Sequence, residues 1–344
     1  MDTGKVTYAQ ANGKGLLLEE FDHYIAVDWS QETMAIGHLH RRDRVPVVFE
    51  RSSNIKELRA YLATLRGRRI LTIEETTTAQ WLYLELRDAV ERIIICNPYR
   101  NRLLSNGPKT DKIDASKLCL LLRSGLLTEV FHSADTLYEL RCVVSAYTDV
   151  VRAGVRAINQ RSALVRGHSD TGVDASFIMD HLDKTIALYR ETKEQYEAKF
   201  QAFCRKNRML KALKTAPGIG TIGAVEILAT VVDVRRFQRR GHYLSYCGLV
   251  KHQKYSGGRY YGRRKGQYNH TLKAVYKIAA MAALKGNNPI HKYYDILLSH
   301  GVADYNARNT VARYIARITY GILKTGMPYK PFRERTNSTP HKVA

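Results

Sequence analysis

The feature that most limits how this chain can fold is a series of short apolar, β-branched runs in its first third, two of which end on a carboxylate. The run His-Tyr-Ile-Ala-Val-Asp-Trp-Ser at 23–30 reads as a strand that stops at Asp28. Residues 34–40 and 45–49 read as two further strands, joined by the basic turn 41–44. Residues 70–73 make a short buried strand, followed at once by Glu74 and Glu75. Residues 93–96 make another, stopped by Asn97-Pro98. Residues 55–65, with Ser53 or Asn54 as N-cap, and 79–90 carry the helical period instead. Residues 111–122 read as a third helix. Three strands followed by alternating helices and strands predict an α/β domain over 21–130.

That arrangement fits an RNase H-like layout, and it gives four acids a common purpose. Asp28 and Glu74 each end a buried strand. Asp111 and Asp114, in Lys-Thr-Asp-Lys-Ile-Asp-Ala, stand three residues apart at a helix start and share a face. Carboxylates from several elements are the hard oxygen donors that a pair of Mg2+ ions needs for phosphoryl transfer. Each acid also has a plainer explanation. Acids at strand ends and helix starts cap backbone N–H groups, and Asp111 is itself a candidate N-cap. Strand alternation lets only one of Glu74 and Glu75 face a cleft, and Glu74 is the residue chosen.

Beyond the α/β domain the chain reads as helical. Residues 131–205 form a helical region whose later part carries heptads. Met179, Ile186 and Phe200 fall at one seam position, and Leu182, Tyr189, Tyr196 and Phe203 at the other, with Lys193 interrupting. Such a stripe packs either as a hairpin within the chain or as a coiled coil between chains, with 167–170 as the bend after an earlier helix at 136–165. Residues 206–335 form a third region, mainly helical. It opens on Ala-Pro-Gly-Ile-Gly at 216–220 before an apolar helix at 221–231. That is the pattern of a helix–hairpin–helix element, in which the amides around Gly218 and Gly220 meet a phosphate, or of an ordinary turn. A basic loop region and helices at 272–284 and 307–323 follow. A loose arm at 1–20 and a tail at 336–344 complete the chain.

Charge narrows the partners. The 344 residues include 55 Lys and Arg against 32 Asp and Glu, a net charge of +23. A globular chain this basic meets a polyanion. There is neither a run of about 20 apolar residues nor a signal peptide, so a membrane partner is not expected. The five cysteines, Cys96, Cys119, Cys142, Cys204 and Cys247, form no Cys-x-x-Cys pair and suit a reducing, cytoplasmic setting.

Between 234 and 273 there are eleven Lys or Arg and no acid. They include Arg235, Arg236, Arg239, Arg240, Lys251, Lys254, Arg259, Arg263, Arg264 and Lys265. Tyr243, Tyr246, Tyr255, Tyr260, Tyr261 and Tyr268 are interleaved among them. Basic side chains neutralise phosphates and aromatic faces stack on unpaired bases. Inside this stretch lies Lys-Tyr-Ser-Gly-Gly-Arg at 254–259. Ser256 there is either a nucleophile beside Arg259 or part of a Ser-Gly-Gly turn. No partner that would activate it can be identified by spacing.

Taken together these motifs resemble the IS110 family of transposases, DEDD recombinases of bacterial insertion sequences related to Piv-type DNA invertases. Lys-Thr-Asp-Lys-Ile-Asp-Ala resembles the family's third and fourth acids, and Glu-Glu-Thr its Glu-x-Thr, which favours Glu74 over Glu75. Ala-Pro-Gly-Ile-Gly, Tyr-Cys-Gly-Leu-Val and Tyr-Ser-Gly-Gly follow in the family's order, which carries its essential serine over to Ser256. The resemblance implies a RuvC-like fold, Mg2+ (with Mn2+ as a substitute) on Asp28, Glu74, Asp111 and Asp114, and a phosphoserine link to DNA. It further implies homodimers pairing into tetramers, donor and target DNA, a structured non-coding guide RNA, and a place in the bacterial cytoplasm near the nucleoid. A RuvC-like nuclease or junction resolvase that uses water, and a non-enzymatic nucleic-acid scaffold, are the competing classes.

Overall fold

The computed structural model describes residues 21–98, 110–134, 137–167, 175–264, 266–286 and 288–331. The arm at 1–20, the bend at 168–170, Lys265 and the tail at 336–344 lie outside the described residues. The chain divides into two compact units, Met1–Ala134 and Asp135–Ala344.

The first unit is built on a mixed six-stranded sheet. Strands β1 (His23–Trp29), β2 (Thr33–His40) and β3 (Val47–Ser52) form an antiparallel meander. Helix α1 (Ile55–Thr64) then leads to β4 (Arg69–Glu74), and α2 (Ala79–Leu86) to β5 (Arg92–Cys96). Helix α3 (Asp111–Arg123) precedes a two-residue strand, β6 (Glu129–Val130), which sequence patterning is too short to reveal. The strand order is β3-β2-β1-β4-β5-β6. Strands β1, β4 and β5 run parallel, and β6 runs antiparallel to β5. The order therefore reverses between β1 and β4.

Period-2 alternation divides the strand side chains between two cores. Ile25, Val27, Leu71 and Ile73 pack with Leu58 and Leu62 of α1 and Leu82 and Leu86 of α2. Tyr24, Ala26, Ile70 and Ile94 pack on the other face with Leu118, Cys119 and Leu122 of α3. Thr72 is polar and buried on the second face, and its hydroxyl donates to Ile94 O at 2.9 Å. Helix α3 lies against β1 and β2 at very close range. A Cβ added to Gly37 of β2 would sit 2.6 Å from the carbonyl oxygen of Ala115.

The second unit is helical apart from one ribbon. Helices α4 (Tyr138–Gly167) and α5 (Ser176–Lys206) pair antiparallel. Tyr147 meets Phe200, Gly154 meets Tyr189, and Arg161 meets Asp183. The heptad stripe thus packs within the chain: Leu182 and Ile186 are buried with Ala157, and Phe200 joins the main core. Then come α6 (Arg208–Leu213), α7 (Thr221–Val231) and α8 (Arg240–Tyr246). Strands β7 (His252–Ser256) and β8 (Arg259–Arg264) form an antiparallel ribbon where the sequence reads as a loop. Helices α9 (His270–Ala283), α10 (Pro289–Ser299) and α11 (Asp304–Thr325) complete the unit. Its core holds a buried hydroxyl chain: Tyr243 bonds Tyr276, whose hydroxyl lies 2.7 Å from Thr319 Oγ1.

Two outcomes follow from the first unit. Gly37→Ala should cost about 1–3 kcal/mol, the usual range for overpacking, because the intruded atom belongs to backbone and cannot rotate away; denaturant melts check this. The second concerns His38, whose Nε2 lies 2.9 Å from His23 Nδ1. Burial, then the neighbouring His23 and His40, push it down to about 4. The folded chain therefore binds fewer protons than the unfolded one between pH 4 and 6.5. Stability should be full above about pH 6.5, where unfolded His is neutral, and fall as the pH drops towards 4. Melting curves against pH should show that slope, and His38→Gln should flatten it.

Candidate active site

Asp28 and Glu74 lie at the carboxyl ends of β1 and β4, the two parallel strands between which the order reverses. Open α/β sheets bind ligands at that point, because the flanking connections leave in opposite directions and open a crevice. Tyr24, Ala26 and Asp28 alternate onto one face of β1, and Ile70, Thr72 and Glu74 onto the same face of β4. That is the face covered by α3. Glu75 starts on the opposite side.

Helix α3 brings in the other two acids on its first turn. Its N-cap is Thr110, whose hydroxyl oxygen accepts from Ile113 N at 3.3 Å. Asp111 is therefore the first helical residue and not the cap, which leaves its carboxylate available. Lys112 ties this turn to Glu50 of β3 at 3.1 Å. Asp28 is half-buried, and its carboxyl is raised above the ordinary value by burial first and then by Asp111 and Asp114. Three of the four acids thus share one electrostatic neighbourhood in mutual repulsion.

The donor set is all carboxylate and suits a hard divalent cation, whose charge would relieve that repulsion. The side chains surround the place without closing on it. Among the described residues no three His, Cys, Asp or Glu groups come close enough together to enclose an ion.

Ser256 lies in the second unit, at the tip of the β7–β8 ribbon. It pairs with Arg259 across a two-residue turn, with Gly257 at φ 54° and Gly258 at φ 77°. Positive φ at both positions makes a tight hairpin turn that glycine adopts freely. The tip is exposed throughout. Tyr255 and Tyr260 pair across the strands, with ring centroids 5.8 Å apart, and are 61% and 54% exposed. Alternation puts Ser256 and Arg259 together on the other face of the ribbon. At the ribbon's root, Ser245 Oγ and His252 Nε2 lie 2.8 Å apart.

The other basic residues divide into two groups. Arg239, Arg240, Lys251, Lys254, Arg263 and Arg264 are exposed, as is Arg235, which is paired with Asp233 at 2.9 Å. Arg236 is half-buried, its guanidinium 4.7 Å from the ring centroids of both Phe237 and Tyr246. Tyr243 is fully buried, so it leaves the set of aromatics open to a base. Gly218 has a packing reason of its own: φ is +76° and an added Cβ would fall 2.0 Å from Ala279 O. Gly220 is the N-cap of α7 and has open space beside it. Both glycines line a cavity of about 530 Å³ that also holds Glu197 and Glu226. Burial pushes Glu226 up to about 7.

One residue near the acids carries no signal in the sequence. His132, after β6, lies 2.6 Å from Glu75 Oε2 through Nε2 and 2.8 Å from Gln80 Oε1 through Nδ1. It stands 57 positions from Glu75 in the chain, and only the pairing of β6 with β5 brings it there.

Residues 25–169 match the IS110-type DEDD family model, described as a transposase. Residues 210–295 match the family described as Transposase IS116/IS110/IS902. The chain is 25% identical over 175 residues to the uncharacterized 43.6 kDa protein of insertion element IS110 from Streptomyces coelicolor, which covers 51% of this chain and 42% of that protein. It is 23% identical over 157 residues to the uncharacterized 44.8 kDa protein of insertion element IS116 from Streptomyces clavuligerus, covering 45% and 39%. It is 22% identical over 123 residues to the transposase for insertion sequence element IS1111A from Coxiella burnetii, covering 35% and 34%. The chain thus spans less than half the length of each of these relatives. The first match takes in the carboxylate-bearing sheet and the second the helices and ribbon around Ser256, in the order that the motifs predict, and over both stretches the chain is similar to the IS110/IS116/IS902 transposases.

Proposed function

We propose that this protein is a DNA recombinase that moves or inverts an insertion element by cutting and rejoining strands through Ser256. The observation that carries the reading is the pairing of an all-carboxylate site at the β1/β4 switch point with a serine on an exposed, acid-free basic ribbon. In this reading the first unit is a RuvC-like, RNase H-like nuclease domain, and Asp28, Glu74, Asp111 and Asp114 hold Mg2+ or Mn2+. The cation would neutralise charge on the reacting phosphate and its leaving oxygen.

The chain's own residues do the rest. Arg259, opposite Ser256, holds the scissile phosphate. Ser256 Oγ bonds to phosphorus as the bond to the leaving deoxyribose oxygen breaks, giving a phosphoserine. A new deoxyribose hydroxyl then attacks that phosphorus and releases the serine. Tyr255, Tyr260 and Tyr261 offer exposed ring faces to nearby bases. Arg239, Arg240, Lys251, Lys254, Arg263 and Arg264 contact backbone phosphates. The acids and Ser256 belong to different units of the chain, which suits a composite site shared between protomers of a dimer or tetramer. A structured non-coding RNA that pairs with donor and target DNA, and a bacterial cytoplasmic, nucleoid-associated location, belong to the same reading. No described helix is long and apolar enough to cross a membrane.

Ser256→Ala should keep DNA binding and lose both strand exchange and the protein–DNA adduct trapped by denaturation. Asp114→Asn should lose strand exchange as well. An adduct that forms in wild type and vanishes in Ser256→Ala excludes the water-nucleophile nuclease. Full exchange by Ser256→Ala would sink the covalent mechanism. Replacing Arg259, Arg263 and Arg264 with alanine should make the dependence of log affinity on log salt shallower by about one per residue. A titration of labelled DNA at several salt concentrations reads that slope.

A further inference from the structure

Strand β4 ends on Glu74, which Glu75 follows at once, and a cation beside Asp28, Asp111 and Asp114 would attract both. Strand alternation aims Glu74 at the α3 face and Glu75 away from it, but alternation weakens here. Glu75 N still donates to Cys96 O at 2.9 Å, and the strand ends with Glu74. A flexible carboxylate just past the last strand residue can swing round to the stronger charge. What opposes that swing is a clamp drawn from two other segments.

Glu75 Oε2 accepts from His132 Nε2 at 2.6 Å. His132 Nδ1 lies 2.8 Å from Gln80 Oε1, and Gln80 Nε2 donates to Ser133 O at 3.0 Å. A carboxylate only accepts, so the proton between Glu75 and His132 sits on the ring's Nε2. The His132 side chain is 8% exposed while Glu75 is 39% exposed, so the histidine is the fixed member of the pair. The ring of Tyr83, on α2 with Gln80, lies 5.9 Å from it. A charge-assisted hydrogen bond from a held donor fixes the Glu75 carboxylate where it stands.

We propose that His132, oriented by Gln80, is a positioning residue that keeps Glu75 out of the carboxylate site and so leaves Glu74 as the ligand that β4 contributes. This rests on the reading of Asp28, Glu74, Asp111 and Asp114 as a divalent-cation site. Its consequence is specific. The histidine matters because Glu75 is there, so removing Glu75 makes the histidine dispensable. A residue that merely supports the fold has no such dependence.

The test is Mn2+ binding to the full chain, measured by calorimetry with melting temperature recorded for every variant. His132→Ala should weaken binding by about 10–100-fold, the range for residues that orient metal ligands. Glu75→Ala should stay within about twofold of wild type, and His132→Ala with Glu75→Ala should return to that level. Gln80→Leu removes the ring's other anchor and should show a smaller loss, again restored by Glu75→Ala. This second pair carries the test if His132→Ala does not fold. Wild-type affinity in His132→Ala, or a double variant as weak as His132→Ala alone, overturns the proposal. Unchanged Mn2+ binding in Glu74→Gln instead overturns the ligand reading itself, and with it any role for the clamp.

Discussion

Everything proposed for the first unit depends on how closely α3 lies on the sheet. The contact is backbone against backbone at Gly37, where any side chain would enter the space of Ala115 O. Ala115 follows Asp114 directly, so the closest approach falls on the turn that carries the acids. Burial first, and then the neighbouring Asp111 and Asp114, raise the Asp28 carboxyl. The apolar contacts of Leu118, Cys119 and Leu122 against Tyr24, Ala26 and Ile70 are what hold that repulsive turn in place. Core packing at one end of the helix thus sustains electrostatic conflict at the other.

The second unit follows the opposite design. Its core holds a hydroxyl chain through Tyr243, Tyr276 and Thr319 that ties α8, α9 and α11 together. The ribbon that extends from this core has no buried residue in either strand, and an isolated two-stranded ribbon is only marginally stable in water. It is anchored at its root, through Ser245 and His252, and free at its tip, where Ser256 lies. A side chain on such a tip takes its final geometry from whatever it binds.

Several features were legible because local rules and tertiary structure agree. Apolar β-branched runs became β1, β4 and β5, Asn54 became the cap of α1, and the heptad stripe became α5. The ribbon was not legible, because both its strands are exposed and so lack the apolar–polar alternation that marks a half-buried strand. Helix α10 was missed although Asn288 caps it and Pro289 opens it, both of which are readable signals. Tyr243 reads in the sequence like the tyrosines around it, because composition cannot tell a stacking ring from a buried one. The close approach at Gly37 left no trace either, since a glycine in a strand has many uses.

The sequence by itself determined where the candidate residues fall: four carboxylates at strand ends and a helix start, and one serine in a basic, glycine-bounded turn. Residue type and spacing carry that information because strand and helix periods are fixed by backbone geometry. Only the tertiary structure decided which of these residues meet. The switch point between β1 and β4, the capping of α3 by Thr110 and not Asp111, and the arrival of His132 at Glu75 all depend on strand order. Strand order arises from contacts between segments far apart in the chain, and no local pattern encodes it.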